Sequence, residues 1–267
     1  MIGALIGDIV GSRFEFHNHK SKEFELFTPQ CRPTDDSIMT LAVAQAIIDC
    51  DGDYTALGEK TVSEMRAWGH RYPDAGYGGR FDDWLGSSDP HPYNSWGNGA
   101  AMRVSACAWA AGSFDEALAL SCAVTEVTHN HPEGLKGAEA VTAAIYMARV
   151  GESREDIRRF ITEHYYPLDF TIDGIRTVYR FNESCRNTVP QALEAFFESE
   201  SFEDALRLAV SVGGDTDTLA DITCAVAEAY YGVPDDIRLA AIKYFDAEML
   251  TTLMSFEIRY PVIEDVI

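Results

Sequence analysis

Gly213-Gly214-Asp215-Thr216-Asp217-Thr218, continuing as Leu219-Ala220-Asp221-Ile222, is the stretch from which the rest of the chain can be read. Two glycines permit a tight chain reversal. Two carboxylates and two hydroxyls then fall within four residues, after which Leu219, Ile222, Thr223, Val226 and Tyr230 recur at helical spacing. A helix start favours one negative group, because its first N–H groups are unpaired and the dipole is positive there. Asp215, Asp217 and Asp221 exceed that need, and like charges this close repel unless a cation lies between them. An acidic N-cap and a hard divalent-metal site both stand as readings of this stretch alone.

Thr34-Asp35-Asp36-Ser37 repeats the same chemistry just before the apolar run Ile38 to Ile48. Each cluster is a Thr/Asp knot at the mouth of a nearly all-apolar helix. Two such helix starts brought together could supply the six or so oxygens that Mg²⁺ requires, and with no cysteine or paired histidine in either knot a hard cation is favoured over Zn²⁺.

The segments around these knots read as helices. Residues 2 to 11 form a short buried helix with Gly3, Gly7 and Gly11 on one face, close enough for another backbone to approach. A central helix runs from Asp36 to Cys50, Asp51-Gly52-Asp53 turns the chain, and a further helix covers about Tyr54 to Gly69. Ser113, Ser153 and Ser201 open helices, each with an acid three residues on. Thr188 and Pro190 open another, and Pro234 opens one after Gly232 has closed its predecessor. Thr177-Val178-Tyr179 is one of the few runs that could be a strand. These signals predict an all-α protein, a compact domain of ten or more helices spanning residues 1–267.

Residues 71 to 98, rich in glycine and proline, read as a long loop, and loops of that length inside a domain are usually functional. The loop ends in Asn94-Ser95-Trp96-Gly97-Asn98-Gly99, running into a helix expected from Ala100 to Ala111. Its backbone N–H groups could hold a phosphate, although Gly-Asn-Gly is equally good turn chemistry. Thr128-His129-Asn130-His131 precedes another helix, where histidines serve as caps or bind a ligand oxygen more readily than they ligate a metal. Glu15, just past the first helix, is a solvated loop acid or a side chain that looks into a cleft.

Composition narrows the function. With 21 basic and 43 acidic residues, the net charge of −22 repels polyanions, so no extended nucleic-acid surface is expected and any phosphate must be met by local devices. The six cysteines show no C-x-x-C pairing and are expected as buried free thiols. The start of the chain carries Asp8 and no basic leader, and no run reaches membrane-spanning length; a soluble cytoplasmic monomer is the expectation.

Taken in order, Gly7-Asp8-Ile9-Val10-Gly11-Ser12 with Glu15, Thr34-Asp35-Asp36-Ser37, Gly97-Asn98-Gly99-Ala100-Ala101-Met102-Arg103, Thr128-His129 and Gly213 to Thr218 resemble the ADP-ribosylglycohydrolase family over nearly the whole chain. The resemblance implies an all-α fold and a centre of two Mg²⁺ (or Mn²⁺) ions, with Thr34, Asp35 and Asp36 facing Asp215, Asp217 and Thr218. It implies that Ser95, Trp96, Gly97, Asn98 and Gly99 cradle the diphosphate of ADP-ribose and that His129 contacts the ligand. It also makes Glu15 and Asp36 catalytic, Glu15 assisting proton transfer or closing the site. Ser37 departs from the family's usual threonine. The implied activity is hydrolysis of the bond between ADP-ribose and an ADP-ribosylated protein or small molecule. The competing readings are a metal-dependent phosphohydrolase of nucleotide diphosphates and a non-catalytic binding or structural protein.

Overall fold

The computed structural model describes residues 1–261. Among these, α-helices are α1 (Ile2–Gly11), α2 (Asp35–Cys50), α3 (Leu57–Arg71), α4 (Gly79–Gly86), α5 (Ser105–Ala110), α6 (Phe114–Thr125), α7 (Pro132–Arg149), α8 (Arg154–His164), α9 (Ile172–Arg176), α10 (Cys185–Glu198), α11 (Phe202–Val212), α12 (Thr216–Tyr231), α13 (Asp235–Ala241) and α14 (Ala247–Arg259). The fold is all-α, and one continuous cluster of buried residues extends from Met1 to Phe256.

The centre is α12, buried from Thr216 to Glu228. Helices α1, α7, α10 and α11 all pack on it. It follows a reversal at Gly213 and Gly214, whose φ angles of 66° and 82° are left-handed and suit residues without a Cβ. Against α12, α1 runs antiparallel with its glycines inward; a Cβ at Gly7 would overlap the Ala220 carbonyl, so only glycine lets the two backbones come this close. Helix α2 lies beside α1 and leaves through Asp51 in the left-handed conformation. The serine caps behave as their spacing predicts: Ser113, Ser153 and Ser201 accept from the amides of Glu116, Asp156 and Asp204.

Four expectations need correction. The long loop is interrupted by α4, whose Phe81, Trp84 and Leu85 are buried; their helical spacing is hidden among flanking glycines. The helix expected from Ala100 begins instead as a 3₁₀ turn, Asn98–Ala100, and α5 starts only at Ser105. Helix α10 opens at Ser184, which leaves Pro190 inside it, six positions along. Thr177 to Tyr179 is a turn after α9, with both the Val178 and Tyr179 amides on the Ile175 carbonyl, and among the described residues there is no strand beyond an isolated bridge between Gly97 and Ser184. All six cysteines are free and five are buried, as the sequence suggested. No helix of the described residues is long and apolar enough to cross a membrane.

Candidate active site

The starts of α2 and α12 meet beside α1, and Asp8 of α1 organises the first of them. Its buried carboxylate accepts from the Thr34 amide (2.9 Å) and hydroxyl (2.6 Å), from the Ser37 amide (3.0 Å) and from the Ser37 hydroxyl. Thr34 in turn accepts the Asp36 amide at 3.3 Å, capping α2. Ser37, which departs from the family's usual threonine, therefore has a definite task, and a serine hydroxyl performs it.

Asp36, Asp215, Asp217 and Thr218 are buried, and Asp35 is half-buried at the same place. They line one cavity of about 880 Å³ together with Glu15, whereas Thr34 turns its hydroxyl toward Asp8. Oxygens of Glu15, Asp215 and Asp217 lie within 4.8 Å of one another. Glu15 thus joins the acids, and the reading of it as a solvated loop acid is set aside.

Burial drives these carboxyls away from their ordinary range. Asp36 and Asp217 are held well above it, first by loss of water and then by each other's neighbourhood: Asp217 acts on Asp36, and Asp215 acts on Asp217. Asp35 is likewise raised by burial and by Asp8. Glu15 is pushed up to about 7 by burial and by the charge of Asp215. Asp215 is raised by burial and partly relieved by the Asn98 side chain, whose Nδ2 donates to it at 2.6 Å. Without a counter-ion these acids do not all ionise together. The donors are all oxygens, and Asp36 Oδ1 is buried without a partner. The residues therefore fit a hard divalent cation.

Asp221 stands one turn further along α12, fully buried, with neither oxygen partnered and its charge felt at Asp36. The sequence reading counted it as an excess acid and gave it no place in the site. Asp8 was missed as well. Its signal was available: an acid inside an apolar, glycine-spaced helix has to find donors somewhere.

Ser95, Trp96, Gly97, Asn98, Gly99 and His129 line another wall of the same cavity. The loop is pinned from below: the Asn98 amide donates to Glu183 O (2.7 Å), the Cys185 amide to Trp96 O (3.0 Å) and the Gly97 amide to Ser95 Oγ (3.2 Å). The expected row of open amides feeding a long helix is accordingly reduced, because the amides of Gly97 and Asn98 are already engaged. Asn98 instead works through its side chain, whose Nδ2 bridges Asp215 and Thr188 and so ties the loop to the acidic cluster. Trp96 is 58% exposed at the rim, edge-on to His131. His131 caps α7 by accepting the Glu133 amide at 3.0 Å. Arg80, Arg103 and Arg186 also line the cavity, as do Glu133 and Glu183, so it holds cationic groups besides the acidic cluster.

The model of the ADP-ribosylglycohydrolase family matches residues 1–255, and the chain belongs to that family. It is 24% identical to ADP-ribosylhydrolase ARH3 of Xenopus tropicalis, across 93% of this chain and 91% of that protein. It is also 24% identical to ADP-ribosylarginine hydrolase Tri1 of Pseudomonas putida (strain GB-1), across 87% of this chain and 70% of that protein. Among solved structures, an ADP-ribosylglycohydrolase-related protein complex shares the fold, with a TM-score of 0.71, 22% identity and coverage of 97% and 95% of the two chains.

Proposed function

We propose that this member of the ADP-ribosylglycohydrolase family is a metal-dependent hydrolase that releases ADP-ribose from an ADP-ribosylated protein or small molecule. The supporting observation is the lining of the cavity: arginines, His129 and the Ser95–Gly99 loop besides the cluster of Glu15, Asp35, Asp36, Asp215 and Asp217, with Asn98 joining loop to cluster. A ligand with a diphosphate in the middle and a reactive ribose at one end matches that lining, and about 880 Å³ accommodates it.

In this reading Ser95, Trp96, Gly97, Asn98, Gly99 and His129 bind the diphosphate part. Holding the remote end positions the scissile bond, which can supply several kcal/mol of barrier reduction. Thr34, Asp35, Asp36, Asp215, Asp217 and Thr218 would hold two Mg²⁺ or Mn²⁺ ions, which when bound supply positive charge for orienting the ribose and activating water. Asp8 accepts the Thr34 hydroxyl hydrogen and the Asp36 amide occupies one lone pair of that oxygen, which leaves the second lone pair for an ion. Glu15, with a carboxyl pushed up to about 7, can take a proton near neutral pH and give it back. The water oxygen bonds to the anomeric carbon, the bond from that carbon to the acceptor atom breaks, and the acceptor leaves with a proton, so that Glu15 ends as it began. Asp36, with one oxygen unpartnered, orients the attacking water. The reading includes a single domain that works as a cytoplasmic monomer with its thiols reduced.

The test incubates purified protein with arginine- and serine-linked ADP-ribosyl peptides, with Mg²⁺, with Mn²⁺ or with chelator, and identifies products by mass spectrometry. Intact ADP-ribose plus unmodified peptide, formed only with metal, is expected. AMP or phosphate would move the assignment to a phosphohydrolase. Tight binding with no product from either linkage would make the protein a non-catalytic binder.

A further inference from the structure

Arg103 is 1% exposed, and among the described residues no carboxylate pairs with it. A buried guanidinium of this kind is costly unless its N–H groups are used, so its contacts carry information. Its Nη2 donates to Thr128 Oγ1 at 2.6 Å and lies 3.4 Å from both the Val124 carbonyl and His129 Nδ1. Thr128 Oγ1 is 2.7 Å from His129 Nδ1.

These contacts fix where the protons are. A guanidinium can only donate, so Thr128 Oγ1 accepts from Arg103. Thr128 is fully buried, and His129 Nδ1 is the one acceptor beside its hydroxyl hydrogen. Nδ1 therefore accepts, with the Arg103 Nη2 group as a second, longer donor. A neutral imidazole that accepts at Nδ1 carries its proton on Nε2. Burial and the adjacent guanidinium both hold His129 well below the usual histidine range, which keeps the ring neutral.

Nε2 lies against the glycine-rich loop: a Cβ built at Gly97 or Gly99 would stand 3.5 or 3.4 Å from it. No described residue accepts from Nε2, and His129 lines the cavity. The geometry points to a relay, Arg103 to Thr128 to His129, that locks His129 as a neutral Nε2–H donor facing the cavity, where it meets a phosphate oxygen of the ligand. Arg103 and Thr128 are then positioning residues that act through His129, and His129 is a donor with no part as a base. The assignment of the ligand oxygen rests on the function proposed above; the tautomer does not.

The experiment reads the two parts separately. Long-range ¹H–¹⁵N NMR of the histidine rings in the unmodified protein at pH 7, without ligand, should give His129 as the neutral Nε2–H form. An Nδ1–H form or an imidazolium would overturn the relay. Calorimetry with ADP-ribose then compares Thr128→Val, which removes the hydroxyl at equal volume, with Thr128→Ser, which keeps it. We expect about a tenfold weaker Kd and a mixed tautomer for valine, and a Kd within about twofold of the unmodified protein for serine. Valine binding as tightly as the unmodified protein would overturn the relay, as would serine failing to restore binding. If the valine variant does not fold, the serine variant and the ligand-free tautomer still decide. Unmodified protein that fails to bind ADP-ribose would count against the proposed function, while the tautomer decides the relay by itself.

Discussion

The two helix starts that meet in the cavity use the same residue types and are satisfied in opposite ways. At the start of α2, the carboxylate that serves it, Asp8, receives four hydrogen bonds from Thr34 and Ser37. At the start of α12, Asn98 reaches Asp215, but Asp221 has no partner on either oxygen, and across the gap Asp36 lacks one too. Asp8 and Asp221 are buried to the same extent. What separates them is the supply of donors. A carboxylate whose lone pairs are met by the protein belongs to the frame, whereas one left bare at equal burial is destabilising until a cation arrives.

The largest effect should come from removing one acid of the cavity from each helix start. Asp36→Asn combined with Asp215→Asn is expected to abolish Mg²⁺ and Mn²⁺ binding by calorimetry and to lower turnover by about a thousandfold or more. Unchanged metal binding in that variant would break the contrast at its root. Next comes the frame: Asp8→Ala should cost about 3 kcal/mol in urea unfolding, because the Thr34 and Ser37 donors lose their acceptor, while Asp221→Asn should raise metal-free stability by about 1 kcal/mol. If the two substitutions destabilise alike, the distinction between frame and bare acids fails. The smallest effect is in pH. Glu15 has a folded-state pKa of about 7, above its ordinary value of 4.5, so its contribution is fully present below about 4.5 and is lost as pH rises through about 7. Asp36 and Asp217 are shifted in the same direction. The Tm of metal-free protein should therefore fall between pH 5 and 8 in a thermal scan, and saturating Mg²⁺ should flatten that slope.

Much of this was legible in the chain. Thr34–Asp36 and Gly213–Thr218 declared themselves because local composition at a helix start is read without knowing the fold, and the serine caps followed from three-residue spacing. What was missed depends on partners distant in sequence. Asp8 could be seen as anomalous, but its donors lie 26 and 29 positions on. Asn98 was read as part of a phosphate-holding loop or a turn, yet its side chain also serves Asp215, 117 positions away. Helix α4 escaped because its buried aromatic face is short and set among glycines whose usual meaning is a loop. Pro190 misled for the opposite reason: proline marks a first turn on average, and here Ser184 had already begun the helix.

The pairing of α1 with α12 has a consequence for how the protein is made. The Gly3 amide donates to Glu228 across 225 positions, so α1 leaves the ribosome well before α12 and waits for it before its inward face is covered. Contacts this non-local form late and slow folding. Until then the nascent chain presents Ile2, Leu5, Ile6 and Ile9 unburied, surface of the kind that chaperones hold. A chain cut short before Thr216 would lack the second helix start and the partner of α1 together, and should be lost to degradation instead of persisting as a weakened protein.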